Sequence, residues 1–192
     1  GVGKTTTSVN LAVALSRLRK KVCLIDLDPQ AHATLHVGVS PTSTPCTAYD
    51  VLVNEQPLAD AIVRAQENLW VVPSHLDLSV AEMALAGRSG RESILRERLK
   101  IAIDSGGSHQ LANTQDDKQQ LQFDYIITQS GINDLINGQS EEETLRAQHK
   151  LVESIRSTCP TAIVIFVPVH PFFKGKNFFI PSNRPSSKKH LC

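Results

Sequence analysis

Residues 1–6 read Gly-Val-Gly-Lys-Thr-Thr, and an apolar pattern with helical spacing follows directly. Glycines let a backbone curl until its N–H groups point inward at phosphate oxygens, and a helix that begins there adds the positive end of its dipole. Lys4 supplies a point charge for the β- and γ-phosphates, and Thr5 places a hydroxyl where Mg²⁺ would sit. The stretch therefore predicts a phosphate-binding loop. The alternative is a glycine-containing helix start followed by a chance Lys-Thr pair.

A second motif, Leu-Ile-Asp-Leu-Asp-Pro-Gln, occupies residues 24–30. The apolar run 22–25 before its first acid is typical of a strand buried on both faces of a parallel sheet. Open α/β sheets bind ligands at the carboxyl ends of such strands. Asp26 and Asp28 are two residues apart, so they share a face for as long as the strand continues, where they would meet Mg²⁺ and an attacking water. The alternative is a plain strand end with two solvated acids.

Strands alternate with helices along the chain, which predicts an α/β fold with a mostly parallel sheet flanked by helices. Residues 38–47 are predicted as a loop, 104–120 as a surface insertion, and the segment from 168 onward as poorly ordered. The predicted helices are 5–19, 48–53, 58–65, 78–86, 92–103 and 140–156, and the predicted strands are 21–28, 69–72, 123–128 and 162–167.

Composition excludes little. The chain has 192 residues, a formal net charge of +1 and 41% hydrophobic residues, which suits one domain with a real core and gives no general argument for nucleic-acid or membrane binding. No apolar run approaches the roughly 20 residues of a membrane helix. The four cysteines form no C-x-x-C pair, so we expect no zinc site, and a reducing cytoplasm fits best. Because the chain begins with Gly inside a motif, we expect its true N-terminus to be missing.

The two motifs together resemble a known family. Gly-Val-Gly-Lys-Thr-Thr-Thr-Ser-Val-Asn-Leu-Ala at 1–12 and Leu-Ile-Asp-Leu-Asp-Pro-Gln-Ala-His-Ala-Thr at 24–34 are similar to the ParA/Soj branch of the ParA/MinD ATPases, which carry a deviant Walker A loop. The resemblance continues at 68–82 and at Phe-Asp-Tyr-Ile-Ile, 123–127, so it spans residues 1–127. It implies a P-loop NTPase-like fold that is truncated here, lacking the first strand and the C-terminal part.

The resemblance also implies a function in plasmid or chromosome partitioning. Members bind ATP with Mg²⁺, form a homodimer around the nucleotide, and hydrolyse it slowly when a partner protein stimulates them; some bind DNA non-specifically, and no membrane partner is expected here. By resemblance, Asp28 would position or activate the attacking water beside Lys4, and Asp26 would support the metal. The implied nucleotide-binding residues are Gly1, Val2, Gly3, Lys4, Thr5 and Thr6, and the implied metal residues are Thr5, Asp26 and Asp28.

Two departures from the family pattern matter. The family's loop begins with Lys-Gly ahead of Gly1, and that Lys reaches across the dimer to the partner's phosphates. At the third predicted strand the family continues from Phe-Asp-Tyr-Ile-Ile with an apolar residue and an Asp, the Walker B acid, whereas this chain has Thr128 and Gln129. A glutamine cannot supply a negative charge to Mg²⁺. We therefore expect an ATPase by resemblance whose hydrolysis is impaired.

Residues 129–168 carry a second, weaker resemblance, to a segment of SGNH/GDSL ester hydrolases. Ser-Gly-Ile-Asn-Asp at 130–134 is similar to the block that gives an Asn to the oxyanion hole, which would be Asn133 here. No Gly-Asp-Ser nucleophile segment precedes it, and an enzyme of this kind needs nucleophile, base and donors together. A turn between strand and helix remains the alternative. The predicted organisation is a nucleotide-binding domain at 1–128, a strand-helix-strand continuation at 129–168, from a fusion or a remnant, and a tail at 169–192.

A histidine pair and a basic segment each have a functional interpretation and an alternative as ordinary surface residues. His32 and His36 are four apart, as in a metal pair, but after the Asp-Pro-Gln turn they are read as surface residues. Five basic residues between 88 and 100 interleave with Glu92 and Glu97, which favours a solvated helix face over a DNA-contacting one.

Overall fold

A computed structural model of the protein describes residues 3–85, 94–95, 97–98, 123–129, 146, 153 and 162–167. The helices are α1 (Lys4–Arg17), α2 (His32–His36), α3 (Ala48–Leu52), α4 (Leu58–Ala61) and α5 (Ala81–Leu85), with short 3₁₀ turns at Pro41–Ser43 and Leu76–Val80. The strands are β1 (Val22–Asp26), β2 (Val63–Gln66), β3 (Leu69–Val72), β4 (Tyr125–Gln129) and β5 (Ile163–Val167). In the part of the chain so described, no helix is long and apolar enough to span a bilayer.

The five strands form one sheet in the order β2-β3-β1-β4-β5. β1 runs parallel to both β3 and β4, and β4 runs parallel to β5. Only the pairing of β2 with β3 is antiparallel, and it includes an irregularity between Arg64 and Gln66. The predicted α/β fold with a mostly parallel sheet is confirmed.

β1 is the central strand, and all five of its residues are buried. Val22 and Leu24 join an apolar cluster with Ala12 of α1, whereas Cys23 and Ile25 join the cluster on the opposite face. Because side chains alternate along a strand, Asp26 belongs to the same face as Val22 and Leu24. The acid that ends β1 therefore lies on the side of the sheet that α1 covers.

α1 packs on the sheet through small residues. Ser8, Ala12 and Ser16 are buried at helical spacing, and the helix contacts β1, β4 and α2. Only residues 18–21 connect α1 to β1, so the chain reverses direction and α1 runs back along the strand. A helix of 14 residues is about 21 Å long and the five residues of β1 span about 17 Å. The amino end of α1 therefore reaches the edge of the sheet where β1 ends.

The prediction of a helix at 58–65 is wrong in its second half. The helix ends at Ala61, and Val63–Gln66 is the edge strand β2. Its residues alternate between half-buried and exposed, as an edge strand with one covered face requires. Pairing with β3 overrides the helical propensity of the local sequence.

Smaller differences between the predicted and the observed secondary structure occur elsewhere in the chain. α2 was not predicted as a helix, and the predicted helix 78–86 is a 3₁₀ turn followed by α5. Residues 94, 95, 97 and 98 are helical, in agreement with the predicted helix 92–103. The predicted insertion 104–120, most of the predicted helix 140–156 and the tail 169–192 lie outside the described residues.

α3 begins at a capping arrangement centred on Asp50. Its Oδ2 accepts hydrogen bonds from the amide (2.9 Å) and the hydroxyl (2.8 Å) of Thr47, and its Oδ1 accepts one from Nδ2 of Asn54 (3.0 Å). Burial alone would raise the pKa of the Asp50 carboxyl, but these hydrogen bonds outweigh it and the pKa lies below its ordinary value of 3.8. The ionised carboxylate therefore stabilises the folded state.

We expect Asp50→Ala to lower the free energy of unfolding by about 1–2 kcal/mol, because it removes the cap of α3 and leaves Thr47 without its partner. Urea denaturation at pH 7 measures this. The effect should be present above pH 3.8, the ordinary pKa, and should disappear as pH falls through the lowered pKa of the folded state. Asp60→Ala removes the same charge from an exposed position and should change stability far less. Equal losses in the two variants would contradict the capping role.

Cys23 and Cys46, the two cysteines among the described residues, are both buried. Burial raises the pKa of the Cys46 thiol to about 11, and the carboxylates of Asp50 and Asp60 contribute to the rise. Because the thiolate is the nucleophile, Cys46 is unsuited to nucleophilic catalysis at neutral pH.

Candidate nucleotide-binding site

The amino end of α1 has the backbone geometry of a phosphate-binding loop. Gly3 occupies the N-cap with φ +103° and ψ −14°, a left-handed conformation that side chains of L-residues rarely adopt. Its carbonyl accepts the amide of Thr7 at 2.8 Å, which closes the first turn. Within the described residues, no side chain caps this end of the helix. In the described part of the chain, no side chain therefore competes for the first amides of α1, which carry the positive end of the helix dipole.

The side chains predicted to bind phosphate follow directly. Lys4 is 93% buried, since only 7% of it is exposed, and its carbonyl accepts the hydroxyl of Ser8 at 3.0 Å. Thr5 is half-buried and Thr6 is exposed. Gly1 and Val2 lie outside the described residues. A buried lysine at an open helix end is costly without an anionic partner, which makes an anionic ligand chemically suitable there.

Asp26 ends β1 and is fully buried. Its Oδ2 accepts hydrogen bonds from the amide (2.9 Å) and the hydroxyl (2.8 Å) of Thr34, and its Oδ1 accepts the amide of Asp28 at 3.2 Å. The hydroxyl oxygen of Thr34 in turn accepts the amide of Ser74 at 3.0 Å. We call Asp26, Thr34 and the amides of Asp28 and Ser74 the Asp26 network.

Asp28 lies two residues beyond the end of β1, in a loop. It is half-buried, and its Oδ1 accepts the amide of Gln30 at 3.0 Å. Because the strand ends at Asp26, the strand face that the two acids were expected to share does not extend to Asp28. The two carboxylates therefore have different surroundings: Asp26 is fully buried among protein donors, and Asp28 is partly exposed to solvent.

Thr34 and Ser74 were not singled out from the sequence. Both are fully buried polar residues, and they lie 8 and 48 positions beyond Asp26. The signal that could have drawn attention to Thr34 is its place at the end of the stretch 24–34, but nothing in the sequence pairs it with Ser74. The hydroxyls of Ser74 and Thr128 are buried without a hydrogen-bond partner among the described residues.

The two histidines that were predicted to be surface residues are exposed. His32 and His36 are both exposed on α2, and a ring nitrogen of His36 contacts the carbonyl of His32. Across the residues that the structure describes, no three His, Cys, Asp or Glu side chains are grouped to hold a metal ion.

Comparison with known proteins settles the family. A family model described as an AAA domain matches residues 1–105, more than half of the chain. The chromosome partitioning protein ParA of Caulobacter vibrioides is 41% identical over 110 residues, which are 57% of this chain and 41% of that protein. The sporulation initiation inhibitor protein Soj of Bacillus subtilis is 41% identical over 101 residues, 52% of this chain and 40% of that protein. This chain belongs to the ParA/MinD-type P-loop ATPases.

The similarity covers part of those relatives, since the chain spans about 41% and 40% of their lengths. A solved structure agrees on the fold of this P-loop protein. Cobyrinic acid a,c-diamide synthase of Mycobacterium smegmatis, crystallised with ADP and magnesium, superposes with a TM-score of 0.53 at 24% identity, covering 88% of this chain and 69% of that one. The expected P-loop NTPase-like fold is confirmed.

The donor set of this P-loop protein fits a magnesium nucleotide. Mg²⁺ in such sites keeps several waters and takes one or two protein oxygens besides the phosphates. Thr5 would offer a hydroxyl and Asp28 a half-buried carboxylate, which are oxygen ligands of the kind that Mg²⁺ takes. At the same edge of the sheet, the register sets Gln129 of β4 opposite Asp26 of β1.

Proposed function

We propose that the chain binds Mg·ATP at the amino end of α1 and is the nucleotide-binding part of a partitioning ATPase. The observation that supports the proposal is the combination at that helix end of a left-handed Gly3, a buried Lys4, and first-turn amides that no described side chain caps. Peptide amides at a helix start, together with one ammonium group, are the groups that P-loop proteins use on polyphosphates.

Each predicted residue has a role in this proposal. Backbone amides of 1–6 and the ammonium of Lys4 would hold the β- and γ-phosphates, and the hydroxyl of Thr5 would be a ligand of Mg²⁺. Lys4 also offsets charge that develops during phosphoryl transfer, which depends mainly on positioning and charge neutralisation. The carboxylate of Asp28, which is half-buried, would position the attacking water and contribute to the metal site, and Asp26 would support that metal site.

Hydrolysis is expected to be slow. The register sets Gln129 at the end of β4, beside Asp26, where the family pattern has an acid. Without that negative charge, Mg²⁺ would be held less firmly. We therefore expect the rate of ATP hydrolysis to be reduced more than the affinity for Mg·ATP.

The proposed partners follow the resemblance. They are a second copy of the chain around bound nucleotide, a stimulating partner protein, and non-specific DNA. The relatives named ParA and Soj support a partitioning role, because each is 41% identical to this chain over more than half of its length.

Thermal denaturation of the full chain with and without Mg·ATP tests the binding proposal. A ligand at 100 times its dissociation constant stabilises the folded state by about 2.7 kcal/mol, so the melting temperature should rise with Mg·ATP concentration. Adenosine is the matched control, because it lacks the phosphates that the α1 terminus would bind. An unchanged melting temperature at millimolar Mg·ATP, or an equal rise with adenosine, would refute nucleotide binding and favour a non-catalytic remnant.

A further inference from the structure

The Asp26 network joins three separate segments of the chain at one buried carboxylate. The acid at the end of β1 accepts two hydrogen bonds from Thr34 in α2, and Thr34 accepts one from the amide of Ser74, which follows β3. Asp26 and Thr34 are both 0% exposed. Hydrogen bonds of this kind are strong because a low local dielectric surrounds an ionisable partner.

The other oxygen of Asp26 accepts a hydrogen bond from the loop that follows β1. Oδ1 of Asp26 accepts the amide of Asp28 at 3.2 Å, so the backbone position of Asp28 depends on the orientation of the Asp26 carboxylate. That orientation is set from the opposite side by the two donors of Thr34, at 2.8 and 2.9 Å. Thr34 is thereby linked to Asp28 through a single carboxylate, although the structure shows no direct hydrogen bond between the two.

We propose that Thr34 is a positioning residue for hydrolysis: by holding the Asp26 carboxylate, it fixes where Asp28 presents its own. This inference rests on the proposed function and assigns Asp26 a task besides support of the metal shell. In the reaction, water adds to the γ-phosphorus, the bond from that phosphorus to the β,γ-bridging oxygen breaks, and ADP, phosphate and a proton are released. Thr34 does not touch the reacting atoms; it acts on the direction of the Asp28 carboxylate.

The substitution that isolates this role is Thr34→Val, which keeps the shape of the side chain and removes the hydroxyl. Oδ2 of Asp26 then loses one of its two bonds from Thr34, and the amide of Ser74 loses its acceptor. Thr34→Ser keeps the hydroxyl and should behave as the parent protein does. Thr44→Val is the matched control, because its hydroxyl bonds only locally to the carbonyl of Pro41 at 2.8 Å.

Two measurements on the full chain decide the question. The first is backbone amide hydrogen exchange without nucleotide: in Thr34→Val the Asp28 amide should exchange roughly ten-fold faster or more, while amides of β1 and α1 remain as protected as before. The second is single-turnover hydrolysis of radiolabelled ATP together with binding of a fluorescent ATP analogue. Thr34→Val should lower the hydrolysis rate about ten-fold or more with the dissociation constant changed less than about three-fold, since misplacement of a catalytic group affects rate before binding.

The outcomes separate this inference from the proposed function. Unchanged exchange at Asp28 in Thr34→Val overturns the positioning role, whether or not ATP is hydrolysed. A uniform rise in exchange across β1 and α1 also overturns it, because Thr34 would then serve stability alone. If the parent protein binds no nucleotide, the proposed function fails, while the exchange experiment still decides whether Thr34 holds Asp28. If Thr34→Ser also shows faster exchange at the Asp28 amide and slower hydrolysis than the parent protein, the hydroxyl of residue 34 is not the group responsible.

Discussion

Lys4→Ala is expected to weaken Mg·ATP binding by about 100-fold, which corresponds to about 2.7 kcal/mol. The reason lies in the burial of Lys4: with 7% of its surface exposed, the side chain is largely withdrawn from water at the open end of α1. Hydrogen bonds to ionised groups are worth more than neutral ones, and screening by water is reduced at a buried site. Binding of a fluorescent ATP analogue, titrated with Mg²⁺ present, measures the change.

Controls must separate the charge of Lys4 from its packing. Lys4→Met keeps most of the aliphatic chain and should lose nearly as much affinity as Lys4→Ala, whereas Lys20→Ala removes an exposed charge beyond the other end of α1 and should have little effect. The melting temperature without nucleotide shows whether each variant is folded. If folded Lys4→Ala binds ATP as tightly as the parent protein, the proposed phosphate site at the start of α1 is wrong.

The parts of the fold that sequence predicted well are those decided by local pattern. The apolar run before Asp26 predicted a strand buried on both faces, and β1 is the central strand of the sheet. α1 was predicted to within about two residues at each end, the usual uncertainty of helix boundaries. β2 was missed because its state depends on pairing with β3, and the residues 58–66 alone carry no information about that partner.

The surroundings of the two acids could not be predicted from the sequence. The residue pattern placed Asp26 and Asp28 on one strand face, although the resemblance implied different roles for them. The structure separates them, because β1 ends at Asp26 and the donors of Thr34 enclose that carboxylate. The contact between Thr34 and Ser74 joins residues 40 positions apart, which no local pattern in a single sequence indicates.

Gln129→Asp is expected to raise Mg²⁺-dependent ATP hydrolysis by about ten-fold or more, because a carboxylate near a bound metal typically changes metal affinity or activity by 10–100-fold. The position is fixed by backbone pairing: β4 runs parallel to β1, and Gln129 is the register partner of Asp26 at the carboxyl edge. The amino end of α1 and the loop of Asp28 belong to the same edge of the sheet as the backbone of Gln129. Single-turnover hydrolysis at a series of Mg²⁺ concentrations measures the gain.

Gln129→Asn is the matched control, since it has the size of aspartate without its charge. If charge is what the β4 terminus lacks, only Gln129→Asp should increase turnover, and it should also reach half-maximal rate at a lower Mg²⁺ concentration. A rise in both variants would indicate that shorter side chains relieve crowding, and no rise in either would mean that Mg²⁺ is not held from the end of β4. The comparison therefore tests the location of the metal independently of Lys4, since it depends on the β1–β4 register and not on the geometry of the phosphate loop.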